Sequence, residues 1–338
     1  MVEIKPTLDN KDLKILFELD KNSRIHISSL AKKLRISREI IKYRIKKLTS
    51  EGIIRNFTTI TNPSKFGYLI YKVYLKFQNF TKEKEERLNK YILSNKNIFW
   101  IAKCDGSFDL ILGIYVKNLM EFNNILLDFM SKFSQNILSR HISNSVYVDI
   151  YRREYLNHGK SERVTWGGDF SEEKLDNLMK GILKIISKDS RTSVVDLAYK
   201  LKSTPKTIIS KIKEMEKKQI ILGYRVNLDL KKIKREYFKA IIYFRNISHE
   251  REEEFKEYCQ KNPDIAYYIK TIAEWDAELD IEIENFTEFN RLTREIKEKF
   301  GDIIKTIDTV FISDEMKGEL NIVQNLSPSY DKPYPQDI

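Results

Sequence analysis

The chain has 338 residues, of which 41% are apolar and 32% charged, and its formal net charge is +11. At roughly 100 to 200 residues per domain, this length predicts several domains and excludes a single small module. Apolar runs are only a few residues long, far short of the ~20 residues that cross a bilayer, and the N-terminus lacks the apolar core of a signal peptide. We therefore expect a soluble, cytoplasmic protein with no membrane partner.

Cysteine, histidine and glycine usage argues against common catalytic and metal sites. Cys104 and Cys259 have no second cysteine or histidine at ligand spacing, so we expect two buried thiols rather than a disulfide or a zinc site. The four histidines are scattered, and the 11 glycines form no phosphate-binding loop, dinucleotide-binding fingerprint or nucleophile elbow. The sequence thus predicts no metal, no cofactor and no enzyme activity.

Positive charge is concentrated in two separate segments. Residues 1–62 carry 14 basic and 7 acidic side chains, and residues 170–229 carry 13 and 8, whereas residues 230–326 are net acidic. Within residues 24–55 there are 10 basic and 2 acidic side chains, a density suited to neutralising phosphates. We interpret the two segments as nucleic-acid-binding, and a merely solvated lysine-rich face is the alternative.

The chain is a tandem repeat with an offset of 167 residues. The offset maps Leu30 onto Leu197 and continues without a gap to map Asp109 onto Asp276. Each copy is basic and helical at its start and rich in strands later. The predicted parts are a helix-turn-helix domain (1–62), a ferredoxin-like domain (63–156), a linker (157–169), a second helix-turn-helix domain (170–229), a second ferredoxin-like domain (230–326) and a C-terminal tail (327–338).

The first basic segment has the pattern of a helix-turn-helix. Asp9 can cap a first helix, a short second helix follows near residues 29–34, and Ser37 can cap a third. In the third helix Ile41, Ile45 and Leu48 form one apolar stripe that must face the core. The cap and the outward side chains expected to contact DNA are Ser37, Arg38, Glu39, Lys42, Tyr43 and Lys46. An ordinary three-helix bundle with solvated lysines is the alternative.

The second basic segment repeats this pattern with a different surface. Thr204 and Pro205 start its third helix, with proline at its favoured first position. The side chains expected to contact DNA are Thr204, Lys206, Thr207, Ser210 and Lys213. Because this set has no arginine to match Arg38, we expect two unequal half-sites if both helices bind DNA.

The segments after each helix-turn-helix predict ferredoxin-like domains. The first is predicted to contain a strand over 69–78, a helix over 81–94, strands near 97–104 and 107–117, a helix over 118–133 and a strand near 140–151. This βαββαβ order gives an antiparallel sheet backed by two helices, so the predicted fold class is α+β. Residues 110–116 are apolar on both faces of their strand, which predicts that the bare face of the sheet packs on another sheet.

In the second copy, the equivalent strand alternates acidic and apolar residues. Asp276, Glu278, Asp280, Glu282 and Glu284 would share one face. The row is too long for one coordination shell, so a metal site is disfavoured and an exposed acidic face is the commoner explanation. We prefer the hypothesis that this face pairs with a basic surface on the other half of the chain.

Several motifs together resemble the Lrp/AsnC family of feast/famine transcriptional regulators, and they are Leu30-Ala31, Ser37 to Leu48, Gly52-Ile53-Ile54 and Gly106-Ser107-Phe108-Asp109. The resemblance implies that the helix-turn-helix domains bind DNA. It also implies that the ferredoxin-like domains mediate self-association and bind a small effector such as an amino acid. By resemblance, the effector or assembly site comprises Asp105, Gly106, Ser107, Phe108 and Asp109, where Asp109 can pair with an ammonium group. Plain β-hairpins are the alternative.

The chain departs from the family pattern at two positions. His26 stands where the family usually has Ser or Thr as the cap of the second helix, and Ala273 stands where glycine is usual before the second turn. Because alanine tolerates glycine's backbone angles poorly, the second turn is a weaker candidate for effector binding. The fusion itself indicates that one chain can supply the pseudo-symmetric pair that a homodimer normally builds.

The sequence therefore predicts a sequence-specific DNA-binding transcriptional regulator of the Lrp/AsnC type. One alternative is an enzyme, because fused pairs of Lrp-like units also resemble sirohaem decarboxylases. The nearby candidates for such a tetrapyrrole site are Arg140, His141, Arg152 and Arg153. The other alternative is an assembly or sensor protein whose second helix-turn-helix is vestigial.

Overall fold

The computed structural model describes residues 8–157 and 162–318. The first half begins with three helices and a strand: α1 (Asn10–Lys21), α2 (Ile27–Leu34), α3 (Arg38–Ser50) and β1 (Ile54–Thr61). A sheet domain follows, with β2 (Leu69–Phe77), α4 (Lys82–Ser94), β3 (Ile98–Gly106), β4 (Leu110–Val116), α5 (Leu119–Phe133) and β5 (Ile137–Tyr151). The predicted βαββαβ order is confirmed, and the element ends differ from the prediction by only a few residues.

A short strand, β6 (Arg163–Gly167), stands between the halves. The second half then begins with α6 (Asn177–Ile186), α7 (Val194–Lys200), α8 (Pro205–Lys217) and β7 (Ile221–Leu228). Its sheet domain contains β8 (Glu236–Phe244), α9 (His249–Lys261), β9 (Ile265–Ile272), β10 (Ala277–Ile283), α10 (Phe286–Lys299) and β11 (Ile304–Gly318). The α+β fold of two tandem copies is therefore confirmed, while the tail predicted over 327–338 lies outside the described residues.

Part of the predicted linker is a strand. β6 pairs antiparallel with the end of β5, and Trp166 lies opposite Val148. The Trp166 side chain is buried, and its Nε1 donates a hydrogen bond to the carbonyl of Thr61, 2.8 Å away. A plain linker over 157–169 was thus an incomplete description, and residues 158–161 of that range lie outside the described residues. The remaining domain boundaries stay predictions.

The two helix-turn-helix domains are joined by a two-stranded antiparallel ribbon. β1 pairs with β7, so that Phe57 lies opposite Val226 and Thr59 opposite Tyr224. Each strand follows directly after the third helix of its own domain. The ribbon therefore links α3 and α8 through short, regular backbone.

The two sheets merge edge to edge into one closed ring of eight strands in the order β2-β4-β3-β11-β8-β10-β9-β5, with β5 returning to β2. The last strand of each half crosses to the other half. β5 pairs with β9 of the second half, and β11 pairs with β3 of the first. One chain thus builds in itself the pair of sheets that the repeat predicted.

The bare face of each sheet lies inside the ring, and the helices cover the outside. Leu112 packs among the residues that face α4 and α5, whereas Ile111 and Tyr115 of the same strand pack in the inner core. This explains why residues 110–116 are apolar on both faces of their strand. Cys104 and Cys259 are buried free thiols, as expected, and burial raises the pKa of Cys104 to about 12.

The acidic face of β10 points into the ring. An exposed acidic face was therefore the wrong explanation: Glu278, Asp280 and Glu282 are 0%, 7% and 3% exposed. The preferred hypothesis agrees with the structure, because Lys72 and Arg153 of the first half pair with Glu278 and Glu282. Among the described residues, no group of three or more metal-ligating side chains is placed to hold an ion, and no helix is long and apolar enough to cross a membrane.

Candidate nucleic-acid interface and ring interior

Helix α3 presents the first cationic surface. Ser37 has an extended backbone, and its Oγ accepts a hydrogen bond from a backbone N–H of the first helical turn, which fixes where the helix begins. Ile41 and Leu48 are buried and Ile45 is half-buried. This stripe turns the opposite side of the helix to solvent, where the exposed side chains are Arg38, Glu39, Lys42, Tyr43 and Lys46.

Not every cation of α3 is available to a ligand. Nη1 of Arg44 lies 2.7 Å from carboxylate oxygens of both Asp9 and Asp12, and these ion pairs join α3 to the start of α1. Hydrogen bonds to Asp9 and Asp12 raise the pKa of Arg44. The cations of the exposed side that make no ion pair with any described residue are Arg38, Lys42 and Lys46.

Helix α8 presents a second, weaker cationic surface. Thr204 caps it by accepting a hydrogen bond from the backbone N–H of Thr207, and the two hydroxyls lie 2.8 Å apart. Thr207 is half-buried, and its hydroxyl and backbone N–H both contact the Thr204 cap at the start of the helix. Lys211 is held by Asp176 at 2.8 Å. Apart from the exposed cap Thr204, the exposed side chains of the predicted set are Lys206, Ser210 and Lys213.

The second helices differ in their caps. His26 caps α2 without any side-chain hydrogen bond to the helix, whereas Ser193 caps α7 by accepting from the backbone of Asp196. The first copy lacks this side-chain hydrogen bond at the position where His26 replaces the Ser or Thr that is usual in the family. Both second helices nevertheless form over comparable lengths, so burial of their apolar faces compensates for the missing bond.

A symmetric joint holds the two helix-turn-helix domains together. The hydroxyls of Ser23 and Ser190 are 2.6 Å apart and both side chains are buried. Arg24 donates to the carbonyl of Ser190, and Arg191 donates to the carbonyl of Ser23. Burial lowers the pKa of Arg191. Sequence reasoning missed this joint, although the recurrence of Ser-Arg at the offset of 167 was a signal that could have indicated it.

The predicted effector turn lies between β3 and β4. Both carboxylate oxygens of Asp109 already have partners within the protein. Its Oδ2 accepts a hydrogen bond from the backbone N–H of Phe77 at 2.7 Å, and its Oδ1 forms an ion pair with Lys76 at 2.6 Å. Gly106 has a φ of +113°, and a Cβ there would lie 3.2 Å from a backbone carbonyl oxygen of β11. Phe108 is buried, whereas Asp105 and Ser107 are exposed at the turn.

The second turn uses the same aspartate bond with a different backbone. Oδ2 of Asp276 accepts from the N–H of Phe244 at 2.7 Å, as Asp109 does in the first copy. Ala273 is not among the described residues with positive φ, so this turn does not copy the backbone of Gly106. His141 of the first half meets this turn, with its Nδ1 3.0 Å from Oε2 of Glu274.

Inside the ring, one carboxylate serves two lysines. Glu278 lies 2.7 Å from Nζ of Lys72 and 2.9 Å from Nζ of Lys239, and it also accepts from the hydroxyl of Tyr74. Burial alone would raise the pKa of Glu278, but Lys239 and Lys72 hold it well below its usual range. Lys72 and Lys239 are equivalent positions of the repeat, and no sequence pattern marked them.

A second buried cluster connects the ring to helix α1. Arg153 pairs with Asp20 at 2.8 Å and with Glu282 at 2.7 Å, and Arg225 pairs with Asp20 at 2.6 Å. Burial would raise the pKa of Asp20, but Arg225 and Arg153 lower it. Tyr155 donates its hydroxyl proton to Glu282. Of the four candidates named for a tetrapyrrole site, only Arg153 lies here.

Between these clusters and the ribbon lies a cavity of about 130 Å³. Its apolar wall includes Phe99, Val148 and Trp166, and its polar wall includes Asp280 and Glu315. Strand β7 closes one side. The cavity therefore lies under the ribbon that connects α3 with α8.

Comparison with known proteins defines the class. The winged helix-turn-helix DNA-binding family model matches this chain twice, over residues 8–55 and 175–221. The uncharacterized HTH-type transcriptional regulator PF1231 of Pyrococcus furiosus is 32% identical over 125 residues, which are 37% of this chain and 83% of that protein. The HTH-type transcriptional regulator FL11 of the same organism is 31% identical over 121 residues, or 35% of this chain and 78% of that protein.

Over most of its length, the chain has the fold of the siroheme decarboxylase NirDL, solved in co-complex with an iron-uroporphyrin III analogue. The TM-score is 0.62 at 13% identity, covering 94% of this chain and 96% of that one. The fold and the two matched segments define a double winged helix-turn-helix protein with a fused pair of sheet domains. The chain belongs to the HTH-type transcriptional regulators, of the Lrp/AsnC type that its motifs predict, present as two tandem copies.

Proposed function

We propose that one chain of this DNA-binding transcriptional regulator contacts DNA with both helix-turn-helix domains at once and binds two unequal half-sites. The symmetric joint between the domains carries the proposal. The β1–β7 ribbon and the Ser23–Ser190 contact hold α3 and α8 in a fixed relation, and both helices expose cations. Helix-turn-helix dimers bind half-sites about one helical turn, or a multiple of it, apart for the same geometric reason.

The two helices are expected to contribute differently. Arg38 can donate to both acceptors of a guanine in the major groove, worth about 1–3 kcal/mol of discrimination. Lys206 and Lys213 are point charges suited to phosphates. We therefore assign base recognition mainly to α3 and electrostatic anchoring mainly to α8. The other side chains proposed to lie at the DNA are Ser37, Glu39, Lys42, Tyr43, Lys46, Thr204, Thr207 and Ser210.

Selection of bound fragments from genomic DNA, followed by footprinting, tests the proposal. We expect unequal protection of two half-sites, and an affinity whose logarithm falls with the logarithm of salt at about −0.9 per phosphate neutralised. Arg38→Ala should weaken binding to the selected fragment more than to unrelated DNA. The matched control Lys90→Ala removes an exposed charge on α4 and should leave both affinities unchanged. Equal binding of all fragments at moderate salt would contradict the proposal.

We also propose that the turn over 105–109 binds a small effector, with amino acids as the class that the family resemblance suggests. Asp105 and Ser107 are exposed beside Gly106, which supports access from solvent, while Asp109 already holds the ammonium group of Lys76. Calorimetry of the full chain with each amino acid tests this. Binding that Asp105→Asn abolishes supports the proposal, and binding that this variant leaves unchanged contradicts it.

Self-association is proposed to use the outer helices, because the bare faces of both sheets already lie inside the ring. Helix α5 exposes Leu119, Met120 and Leu127, at 65%, 66% and 59% of their surface. At the position equivalent to Leu127, helix α10 has Arg294. We expect Leu127→Arg to dissociate any assembly in sedimentation experiments, and an unchanged particle mass would exclude α5 as the interface.

The enzymatic alternative is less well supported. At 13% identity, the likeness to NirDL concerns the fold alone. The carboxylates of Asp280, Glu282 and Glu315 line the cavity and would repel a tetrapyrrole polyanion, and the cations Arg153 and Arg225 of its lining are already paired with carboxylates. His141 pairs with Glu274 and Arg152 with Glu162, and Arg140 lies on the exposed side of β5. A Soret band that shifts when an iron tetrapyrrole is added to the full chain would favour the enzyme instead.

A further inference from the structure

Charges in the ring interior do not balance. In and beside the cavity lie four cations, Lys72, Arg153, Arg225 and Lys239, and five carboxylates, Asp20, Glu278, Asp280, Glu282 and Glu315. Each cation has a carboxylate oxygen within 2.9 Å. The interior therefore holds one negative charge that these cations leave without an ion-pair partner.

The unbalanced charge lies on Glu315. Its Oε1 accepts a hydrogen bond from the indole Nε1 of Trp100 at 2.6 Å, and it makes no ion pair with any described residue. Arg55 acts on it only from a distance, because its guanidinium pairs with Asp229 at 3.1 Å. Burial raises the pKa of Glu315, and the charges of Glu282 and Asp280 add to that effect. Glu315 is half-buried, and a partly desolvated carboxylate at a cavity wall costs stability unless a ligand provides the counter-charge.

The repeat shows that these carboxylates occur only in the second half of the chain. Position 315 is equivalent to Val148 of the first half, and both residues line the same cavity. Likewise, Asp280 is equivalent to Gly113 and Glu278 to Ile111. A homodimer would carry every such group twice, whereas here each of these carboxylates occurs once, opposite an uncharged residue in the alignment of the two copies. The cavity is therefore a single asymmetric site in each chain.

Size and shape restrict the ligand. A cavity of about 130 Å³ is close to the volume of an engineered protein cavity, about 150 Å³, that binds benzene. Phe99, Val148 and Trp166 suit an apolar body, and Glu315 suits a positive charge. An anion would find its potential partners Lys72 and Arg153 already paired.

We propose that the ring interior binds one small apolar amine per chain, with its ammonium group paired to Glu315 and its apolar body against Phe99, Val148 and Trp166. This site is separate from the turn over 105–109, and it does not depend on DNA binding. Because strand β7 closes the cavity, an amine inside it would touch the ribbon between α3 and α8.

The test compares three ligands of one shape on the full chain: benzylamine, benzyl alcohol and benzoate. We expect calorimetry to show saturable benzylamine binding at one site per chain, and the fluorescence of Trp100 and Trp166 to change with the same midpoint. Benzyl alcohol and benzoate should bind at least about tenfold more weakly, because neither can form a charge-assisted bond to Glu315. Equal binding of amine and alcohol would overturn the proposal.

Two variants distinguish the effect of the Glu315 charge from the effect of the cavity volume. Glu315→Gln removes the charge and should weaken benzylamine binding at least about tenfold. Val148→Phe fills the cavity and should abolish binding of all three ligands. The matched control Asp314→Asn changes the exposed neighbour of Glu315 and should bind benzylamine like the unmodified chain. Undiminished benzylamine binding to a folded Glu315→Gln variant would also overturn the proposal.

Discussion

The hydroxyl groups of Ser23 and Ser190 lie 2.6 Å apart, although the residues are 167 positions apart in the chain. That separation is the offset of the repeat, so each serine meets its own equivalent across a pseudo-two-fold axis. The surroundings repeat as well. The backbone N–H of Ser23 donates to Tyr224, and that of Ser190 donates to Phe57, which is the residue equivalent to Tyr224.

We expect the single variants Ser23→Ala and Ser190→Ala each to lower the free energy of unfolding by about 1–3 kcal/mol, because each leaves a buried hydroxyl without its partner. The double variant should cost clearly less than the sum of the two, since no orphaned hydroxyl remains. Denaturant unfolding of all four proteins measures this coupling. Strictly additive effects would mean that the two hydroxyls do not stabilise one another.

Glu278→Gln should be among the most destabilising single substitutions in the ring. It leaves Lys72 and Lys239 buried without that counter-charge, a loss on the order of 3–5 kcal/mol. Glu274→Gln, at an exposed carboxylate of the same turn and strand region, is the control and should be nearly neutral. Chemical denaturation at pH 7 makes the comparison.

The effect of Glu278 should depend on pH in a defined direction. Its pKa is held below the ordinary value of 4.5, so its stabilisation is fully present above that pH and is lost as the pH falls below it. The difference in unfolding free energy between the unmodified chain and Glu278→Gln should therefore shrink at acidic pH. A difference that grows on acidification would show that Glu278 is not held as a carboxylate.

Glu315→Gln should behave in the opposite way. Because the pKa of Glu315 is raised, the folded chain favours its protonated form, and its contribution to stability falls as the pH rises through that pKa. The variant should thus melt at a higher temperature than the unmodified chain at neutral pH, and the gap should narrow in acid. Thermal unfolding monitored by circular dichroism at several pH values measures both effects.

The weaker cationic helix offers a test on DNA. Replacing Lys206 and Lys213 together with alanine should reduce the salt slope by about 0.9 for each phosphate that is no longer neutralised, and it should weaken protection of one half-site. The selected sequence should stay the same, because base recognition is assigned to Arg38. Unchanged binding would instead favour a vestigial second helix-turn-helix.

Much of this architecture could be predicted from local sequence patterns. The stripe with Ile41 and Leu48 oriented α3 correctly, and the offset that relates Asp109 to Asp276 predicted two similar hairpins. What local pattern could not predict was which edge each strand would pair with. β5 and β11 each pair with a strand of the other half, and this pairing brings Glu278 next to Lys72. The alternating pattern of the strand that contains Glu278 therefore could not predict that Glu278 is buried. Residues 157–169 were likewise predicted as a linker, although Trp166 within them anchors a strand.

The closed ring also bears on synthesis of the protein. Strands leave the ribosome in order, and β11, which pairs with both β3 and β8, is the last strand within the described residues. Until it emerges, β3 keeps one edge without its partner strand, and such edges invite pairing between neighbouring nascent chains. Translation of the second half thus determines whether the first half closes on its own chain or on a neighbour.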